Sequence, residues 1–315
     1  EFENKVLVDY AIQAYELAIT ENEHLNFDYQ LSLLYGQKGD LEKMTQKLLD
    51  YANKNQNSVT LVQNMLARYM NEDAEANFSN QLRKSLLSRV QNEQDIFWNH
   101  FLSWYFVQQQ DYEKAFVQER AIFKREGNNI NKLISLTQAA VAENKIEVAT
   151  EMADFVLNNT IDVQTQIVIQ TIKNKITIKN SPKSAYNDIK TTFENQIQNY
   201  GITKSSIPLV IQIARFDGFE LNNFNNAKAQ IDQLLKLPLS AFEMGEVKGL
   251  LADLYLSNEK FNQAIVYYAQ IQDDLKNHEI GHEAQFKMAL TSYFKTDFDW
   301  AQKQFKVLKQ STSLL

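Results

Sequence analysis

The feature that most constrains this chain is a short pattern that recurs along it. A polar turn is followed by an aromatic residue, two polar residues and an alanine that opens an apolar helix, as in Asp111–Phe116 and Glu259–Ile265. Asp297–Ala301 repeats the pattern loosely, and Gly39–Met44 repeats it more loosely still. Self-similarity at a regular spacing is the sequence signature of repeat architectures, so the pattern predicts stacked helical hairpins.

The position of the alanine can be followed through the whole chain. It recurs every 32 to 42 residues, at Ala11, Met44, Ala76, Ala115, Ala149, Ala185, Ala227, Ala264 and Ala301. Such starts predict about eight to nine helix–turn–helix units and about 17 helices in all. A small residue is expected where two helices cross closely, because a larger side chain would separate them.

The best copy of the pattern resembles a known family. Ala252, Tyr255, Ala264, Tyr268 and Ile271 fall on the small and aromatic positions of the tetratricopeptide repeat, with Ile271 in place of the last small residue. The resemblance implies an all-α, right-handed superhelical solenoid. We expect one domain over residues 1–315, with a flexible point near residues 200–206.

Composition agrees with a helical chain and excludes several kinds of function. Only 8 Gly and 3 Pro are present, too few for the many tight turns of a large β protein. The absence of Cys excludes disulfides, thiolate metal sites and a cysteine nucleophile. With a net charge of −7 and dispersed basic residues, nucleic acid is not an expected partner. No apolar run approaches the roughly 20 residues that span a bilayer.

A narrower resemblance concerns the last quarter of the chain. The segment from Leu237 through Ala252–Tyr255 to Gln302 is similar to exported tetratricopeptide proteins of Bacteroidetes-type bacteria. This similarity implies the periplasm or cell envelope, with the cytoplasm as the alternative. It also implies a natural chain that extends beyond residues 1–315 at both ends.

One motif favours an enzyme. Residues 278–282 read His-Glu-Ile-Gly-His, which fits the pattern of zinc metallopeptidases, in which His278 and His282 would bind zinc and Glu279 would activate water. The chain lacks a glutamate after Glu283 that could serve as a third ligand. The motif also crosses a predicted link before a helix that we expect to begin near Glu283. We therefore interpret the match as coincidental, and expect neither a metal nor another cofactor.

A binding surface is expected on the concave side, which the first helix of each hairpin lines. In the helix that begins near Asp95, the inward positions are Phe97, His100, Trp104 and Gln108. Aromatic side chains beside polar ones suit peptide capture, but packing between repeats is the favoured interpretation of the two aromatics. Further candidates on other first helices are Tyr29, Asn131 and Gln138.

The leading hypothesis is a non-enzymatic scaffold that binds a protein or peptide along its concave face. A zinc peptidase that uses the 278–282 motif and a peptide-sensing regulator module are the alternatives. The identity of the partner and the oligomeric state do not follow from the sequence.

Overall fold

All regular structure in the described part of the chain is helical. The computed structural model describes residues 2–22, 24–73, 75–127 and 129–310, without the side chains of residues 2–6 and 310. Seventeen α-helices follow one another: α1 (Phe2–Glu21), α2 (Asp28–Lys38), α3 (Leu41–Lys54), α4 (Val59–Asn71), α5 (Asn77–Asn92), α6 (Ile96–Gln108), α7 (Tyr112–Glu126), α8 (Ile130–Ala142), α9 (Ile146–Asn158), α10 (Val163–Asn180), α11 (Tyr186–Tyr200), α12 (Ile207–Arg215), α13 (Phe224–Leu234), α14 (Ala241–Ser257), α15 (Phe261–Asp274), α16 (Glu279–Phe294) and α17 (Phe298–Gln310). The prediction of an all-α chain with about 17 helices is confirmed.

The chain forms two compact units, Glu1–Val148 and Ala149–Leu315. In the first unit α2 packs on α3 and α6 packs on α7. In the second, the pairs α12–α13, α14–α15 and α16–α17 pack in the same way. There the first helices also touch in sequence: α10 contacts α12, α12 contacts α14, and α14 contacts α16.

The flexible point predicted near residues 200–206 lies inside the second unit. There the Ser206 hydroxyl donates a hydrogen bond to the Gly201 carbonyl at 2.7 Å and accepts one from the Thr203 N–H at 2.9 Å. These bonds hold the link in a defined turn. A single domain with a hinge at this link stays a prediction.

The turn inside a hairpin has the same hydrogen bond at five places. The N–H of the residue that precedes the second helix donates to the carbonyl five residues earlier: Asp40 to Tyr35, Asp111 to Phe106, Lys145 to Ala140, Lys260 to Tyr255 and Asp297 to Ser292. The residue just before each donor has a left-handed backbone, with φ between 54° and 82°, at Gly39, Gln110, Asn144, Glu259 and Thr296. This is the bond of a Schellman motif, which satisfies carbonyls that a helix end leaves free. The polar turn read from the sequence is thus a helix stop joined to a helix start.

The small position predicted from the repeat is buried in six second helices. It is the fourth residue of α3, α7, α9, α13, α15 and α17, and it is at most 2% exposed: Met44, Ala115, Ala149, Ala227, Ala264 and Ala301. Met44 is the one large residue, and Gly36 compensates for it on the facing helix. A Cβ atom at Gly36 would lie 3.1 Å from the Met44 sulfur, so the space is shared between the two positions.

Three members of the predicted series do not occupy this position. Ala76 is exposed, has a φ of 56° and precedes α5, where the buried small side chain is Ser79. Ser79 lies 3.1 Å from the Tyr105 hydroxyl, so a polar contact fills that crossing. Ala185 lies half-buried in a short 3-10 turn before α11, whose packing residue is Ile189. Ala11 is half-buried in the middle of α1.

Buried residues in the described part of the second unit form three successive apolar clusters. The first joins α10, α11 and α12 around Phe193 and Phe216. The second joins α12, α13 and α14 around Leu234 and Leu254, and the third joins α14, α15 and α16 around Tyr268. Neighbouring clusters share a helix, which is the packing of a repeat array.

Candidate functional site

A groove in the second unit runs over α10, α12, α14 and α16, and we name it the A-face groove because these are the first helices of their hairpins. It has two compartments with a common wall formed by Ile211, Arg215 and Glu246. The larger one, the apolar compartment, has a volume of about 590 Å³. The smaller, the charged compartment, has a volume of about 250 Å³.

The apolar compartment lies between α10 and α12. Ile178, Pro208, Ile211 and Phe219 supply apolar surface, and Phe216 forms its buried base. The Phe216 ring is fixed by edge-on contacts with aromatic rings of α11, at centroid distances of 5.1 and 5.2 Å. A cleft with rigid apolar walls and a few charged groups at its rim is the usual form of a binding site.

Two glycines of α14 border the charged compartment, one helical turn apart. Gly245 lies in a tight contact, because a Cβ atom there would lie 2.7 Å from Leu275 Cδ1 and the leucine side chain would have to move. Gly249 is different: the nearest atom to a Cβ there would be Ile271 Cδ1, at 3.9 Å. Packing therefore does not explain Gly249, and the missing side chain leaves the compartment open.

Asp253 organises the floor of the charged compartment. Its carboxylate accepts hydrogen bonds from the Tyr268 hydroxyl at 2.6 Å and from Lys287 Nζ at 3.1 Å, while Arg215 stands 3.7 Å away. Burial raises the pKa of Tyr268, and the nearby carboxylate raises it further. Burial opposes the charge of Lys287, but Asp253 and Glu283 raise its pKa above the ordinary value. The network ties three helices together and leaves Asp253 already neutralised.

Two charged groups of the A-face groove have no partner among the described residues. Glu246 on α14 and Lys175 on α10 take part in no hydrogen bond or ion pair there. Glu246 is exposed, but protein atoms around its carboxylate displace part of its water and raise its pKa, and the neighbouring Glu243 carboxylate adds to the rise. Arg215 is 54% exposed and lies over the Phe219 ring, with its Cζ atom 5.6 Å from the ring centroid. The groove therefore offers unmatched charges of both signs beside apolar surface.

The binding residues predicted on α6 share one face of that helix. Phe97 and Trp104 are half-buried and both rings pack on Phe101, with centroids 5.8 and 5.3 Å from it. His100 is exposed with Nε2 3.7 Å from a Glu126 oxygen, and Gln108 is exposed. Packing therefore accounts for much of both aromatic side chains, and a binding role for the four residues stays a prediction.

The remaining predicted binding residues lie on two other first helices. Tyr29 on α2 is half-buried against the Tyr51 ring, at a centroid distance of 5.2 Å. Asn131 and Gln138 are exposed on α8. A polar cleft of about 930 Å³ in the same unit is lined by residues of α3 and α5 instead. None of the residues predicted for binding lines that cleft or the A-face groove.

The zinc-peptidase motif is used for helix capping. His278 has an extended backbone, and its Nδ1 accepts the N–H of Ile280 at 3.2 Å, so it begins α16. The helix starts at Glu279, earlier than the expected start near Glu283. Gly281 therefore lies inside the helix. Glycine is needed there because a Cβ atom would be 2.0 Å from the Leu275 carbonyl oxygen. Within the described residues no group of three possible ligands could hold a metal ion.

Comparison with known proteins gives structural likenesses only. Neither a family model nor a curated protein matches the chain. A tetratricopeptide repeat protein from Parabacteroides merdae is 15% identical, with a TM-score of 0.39 over 89% of this chain and 99% of that one. The tetratricopeptide domain of P58(IPK) is 13% identical, with a TM-score of 0.28 over 93% of this chain and 82% of that one.

The hairpins of the chain resemble one another in two respects. Five share one turn, and six bury the same fourth residue of their second helix. These shared features are those of an array of helical hairpins. No described helix has the length and apolarity needed to cross a membrane.

Sequence reasoning missed the A-face groove, although one signal was present. Gly245 and Gly249 stand one turn apart in the middle of a helix, in a chain with only 8 glycines. A glycine inside a helix costs stability relative to alanine, so it usually has a packing or functional reason. Only the structure separates the two cases, because the contact of Gly245 with Leu275 is not local.

Proposed function

We propose that this protein is a non-enzymatic interaction scaffold that binds an extended segment of a partner protein in the A-face groove. The observation that carries the proposal is the apolar compartment of about 590 Å³, whose walls come from successive first helices. In arrays of helical hairpins these helices line the concave surface, which serves as an extended binding face. Anchoring of an apolar side chain in a desolvated pocket supplies most of the energy of such contacts.

We place this task in the cell envelope. The support is the similarity of the segment from Leu237 to Gln302 to exported bacterial tetratricopeptide proteins. Fractionation of the source organism, followed by immunoblotting, tests the location. Recovery of the protein only with cytoplasmic markers would contradict it.

Binding in the groove can be tested with random peptides displayed on phage, of about 12 residues, which span roughly 40 Å when extended. Gly249→Phe places a ring in the charged compartment, about one helical turn from Glu246 in the wall that both compartments share, and the nearest atom to the new Cβ is 3.9 Å away. Val266→Phe is the matched control, because Val266 is exposed and does not line the groove. We expect peptides enriched on the wild-type protein to bind Val266→Phe equally well and to lose binding to Gly249→Phe. Equal binding to both variants would refute the proposal.

A further inference from the structure

We propose that the bound segment carries an apolar side chain between a basic and an acidic side chain, and this inference rests on the function proposed above. The basic side chain pairs with Glu246 and the acidic one with Lys175. The apolar side chain enters the compartment beside Ile211 and Phe219.

The case for a basic side chain comes from the carboxylates that line the groove. Asp253 is held by Tyr268 and Lys287, Glu283 by Lys287 at 3.0 Å, and Glu220 accepts a hydrogen bond from a tyrosine at 3.1 Å. Glu246 alone among them is unmatched within the described residues, and it belongs to the wall that both compartments share. Glu246 is exposed at the rim of the groove, where a cation that donates hydrogen bonds to its carboxylate can reach it from solvent.

The case for an acidic side chain rests on the opposite side of the groove. Lys175 is exposed on α10 at the rim of the apolar compartment, with no partner among the described residues. Because α12 packs between α10 and α14, Lys175 and Glu246 stand on either side of it. A segment that crosses α12 therefore meets a positive group at one end and a negative group at the other.

Helix packing gives the approximate spacing of the two helices that carry the charges. Neighbouring helices pack with axes roughly 8–10 Å apart, so α10 and α14 are separated by roughly 16–20 Å. An extended chain advances about 3.4 Å per residue, so about five residues cover that separation. We therefore expect the acidic and basic side chains of the segment to stand about five residues apart, with an aliphatic or aromatic side chain between them.

Selection of random peptides on two charge-reversed proteins tests the inference. We expect the wild-type protein to enrich peptides with both charges at this spacing. The Glu246→Lys protein should lose the preference for peptides with Lys or Arg, and the Lys175→Glu protein should lose the preference for peptides with Asp or Glu. A peptide selected on the wild type should bind Glu246→Lys about fivefold more weakly in fluorescence anisotropy, as expected for one partly exposed ion pair. Glu194→Lys, an exposed reversal on α11 outside the groove, should leave both preferences unchanged.

The outcomes separate this inference from the proposed function. Apolar peptides that bind without charge preference, or preferences that survive both reversals, would overturn the inference while the groove remains a binding site. Failure of any peptide to distinguish the wild type from Gly249→Phe would overturn the proposed function itself. Glu246→Gln, which keeps the shape of the side chain, should weaken binding of the same peptide and checks that a loss with Glu246→Lys does not come from unfolding.

Discussion

Gly281→Ala should destabilise the second unit, although alanine favours helices over glycine. The new Cβ would lie 2.0 Å from the Leu275 oxygen, about 1.4 Å inside the 3.4 Å at which ordinary contact begins. Relieving this clash requires the backbone at Leu275 or Gly281 to shift, because the contacted atom belongs to a backbone carbonyl group and not to a flexible side chain. That carbonyl also accepts the N–H of His278 at 3.0 Å, so a shift weakens the link before α16.

The net effect can be estimated from opposing contributions. Overpacking of a tight contact costs about 1–3 kcal/mol, and the weakened hydrogen bond adds about 1 kcal/mol. Gain in helix propensity offsets at most about 1 kcal/mol of this. We expect a loss of about 2 kcal/mol. Gly249→Ala is the matched control, because it has the same propensity gain and no contact nearer than 3.9 Å, so it should stabilise by about 1 kcal/mol.

Hydrogen exchange measured by mass spectrometry on peptides from α14–α16 is the suitable assay, because it reports this region separately from the rest of the chain. Amides of these helices should exchange about 30-fold faster in Gly281→Ala and about fivefold slower in Gly249→Ala. If the amides of Gly281→Ala exchange as slowly as those of the wild type, then the close approach to Leu275 is not the reason that glycine occupies this position.

Three further predictions concern buried groups. Burial opposes the charge of Asp28, but its ion pairs with Lys54 and Lys47 hold its pKa below the ordinary 3.8. The stabilisation from these ion pairs is therefore present above pH 3.8 and is lost as pH falls through the lowered pKa. Asp28→Asn should therefore cost about 2 kcal/mol at neutral pH, the usual size of hydrogen bonds to a charged group, and flatten the acid limb of urea unfolding; an unchanged acid limb would contradict this. Burial raises the pKa of Asp217 above 3.8, so its contribution is present below 3.8 and lost as pH rises through the raised value. Asp217→Asn should remove this fall, and a variant that keeps it in urea unfolding would show that another group is responsible. Ala264→Leu should lower stability by about 1–3 kcal/mol in the same assay, because the position is fully buried at a helix crossing, and a neutral effect would refute the close-packing argument.

The helices and hairpin turns could be predicted because their signals are local. Ala115, Ala227 and Ala264 each follow a polar turn at a fixed distance, and each is buried where the pattern placed it. The prediction for Ala76 was wrong because the same local pattern can occur at the end of a turn, before the helix begins. Ala76 lies just before α5, and Ser79 occupies the buried position at the helix crossing instead.

The groove could not be predicted because its parts come from distant segments. Glu246 is unmatched only because no cation from a neighbouring helix reaches it, and sequence does not show which lysines do. The start of α16 shows the same limit. His278 provides a cap and Gly281 a close approach to Leu275, so a glycine that suggested a link lies inside a helix.

The three apolar clusters of the second unit share single helices, and this has a consequence for its response to a partner. Each cluster can loosen with limited effect on the next, so unfolding is expected to spread gradually from the outermost hairpin inward. A segment bound across α10, α12 and α14 would hold neighbouring clusters at once and oblige them to open together. Occupancy of the groove should then sharpen the melting of the unit as well as delay it.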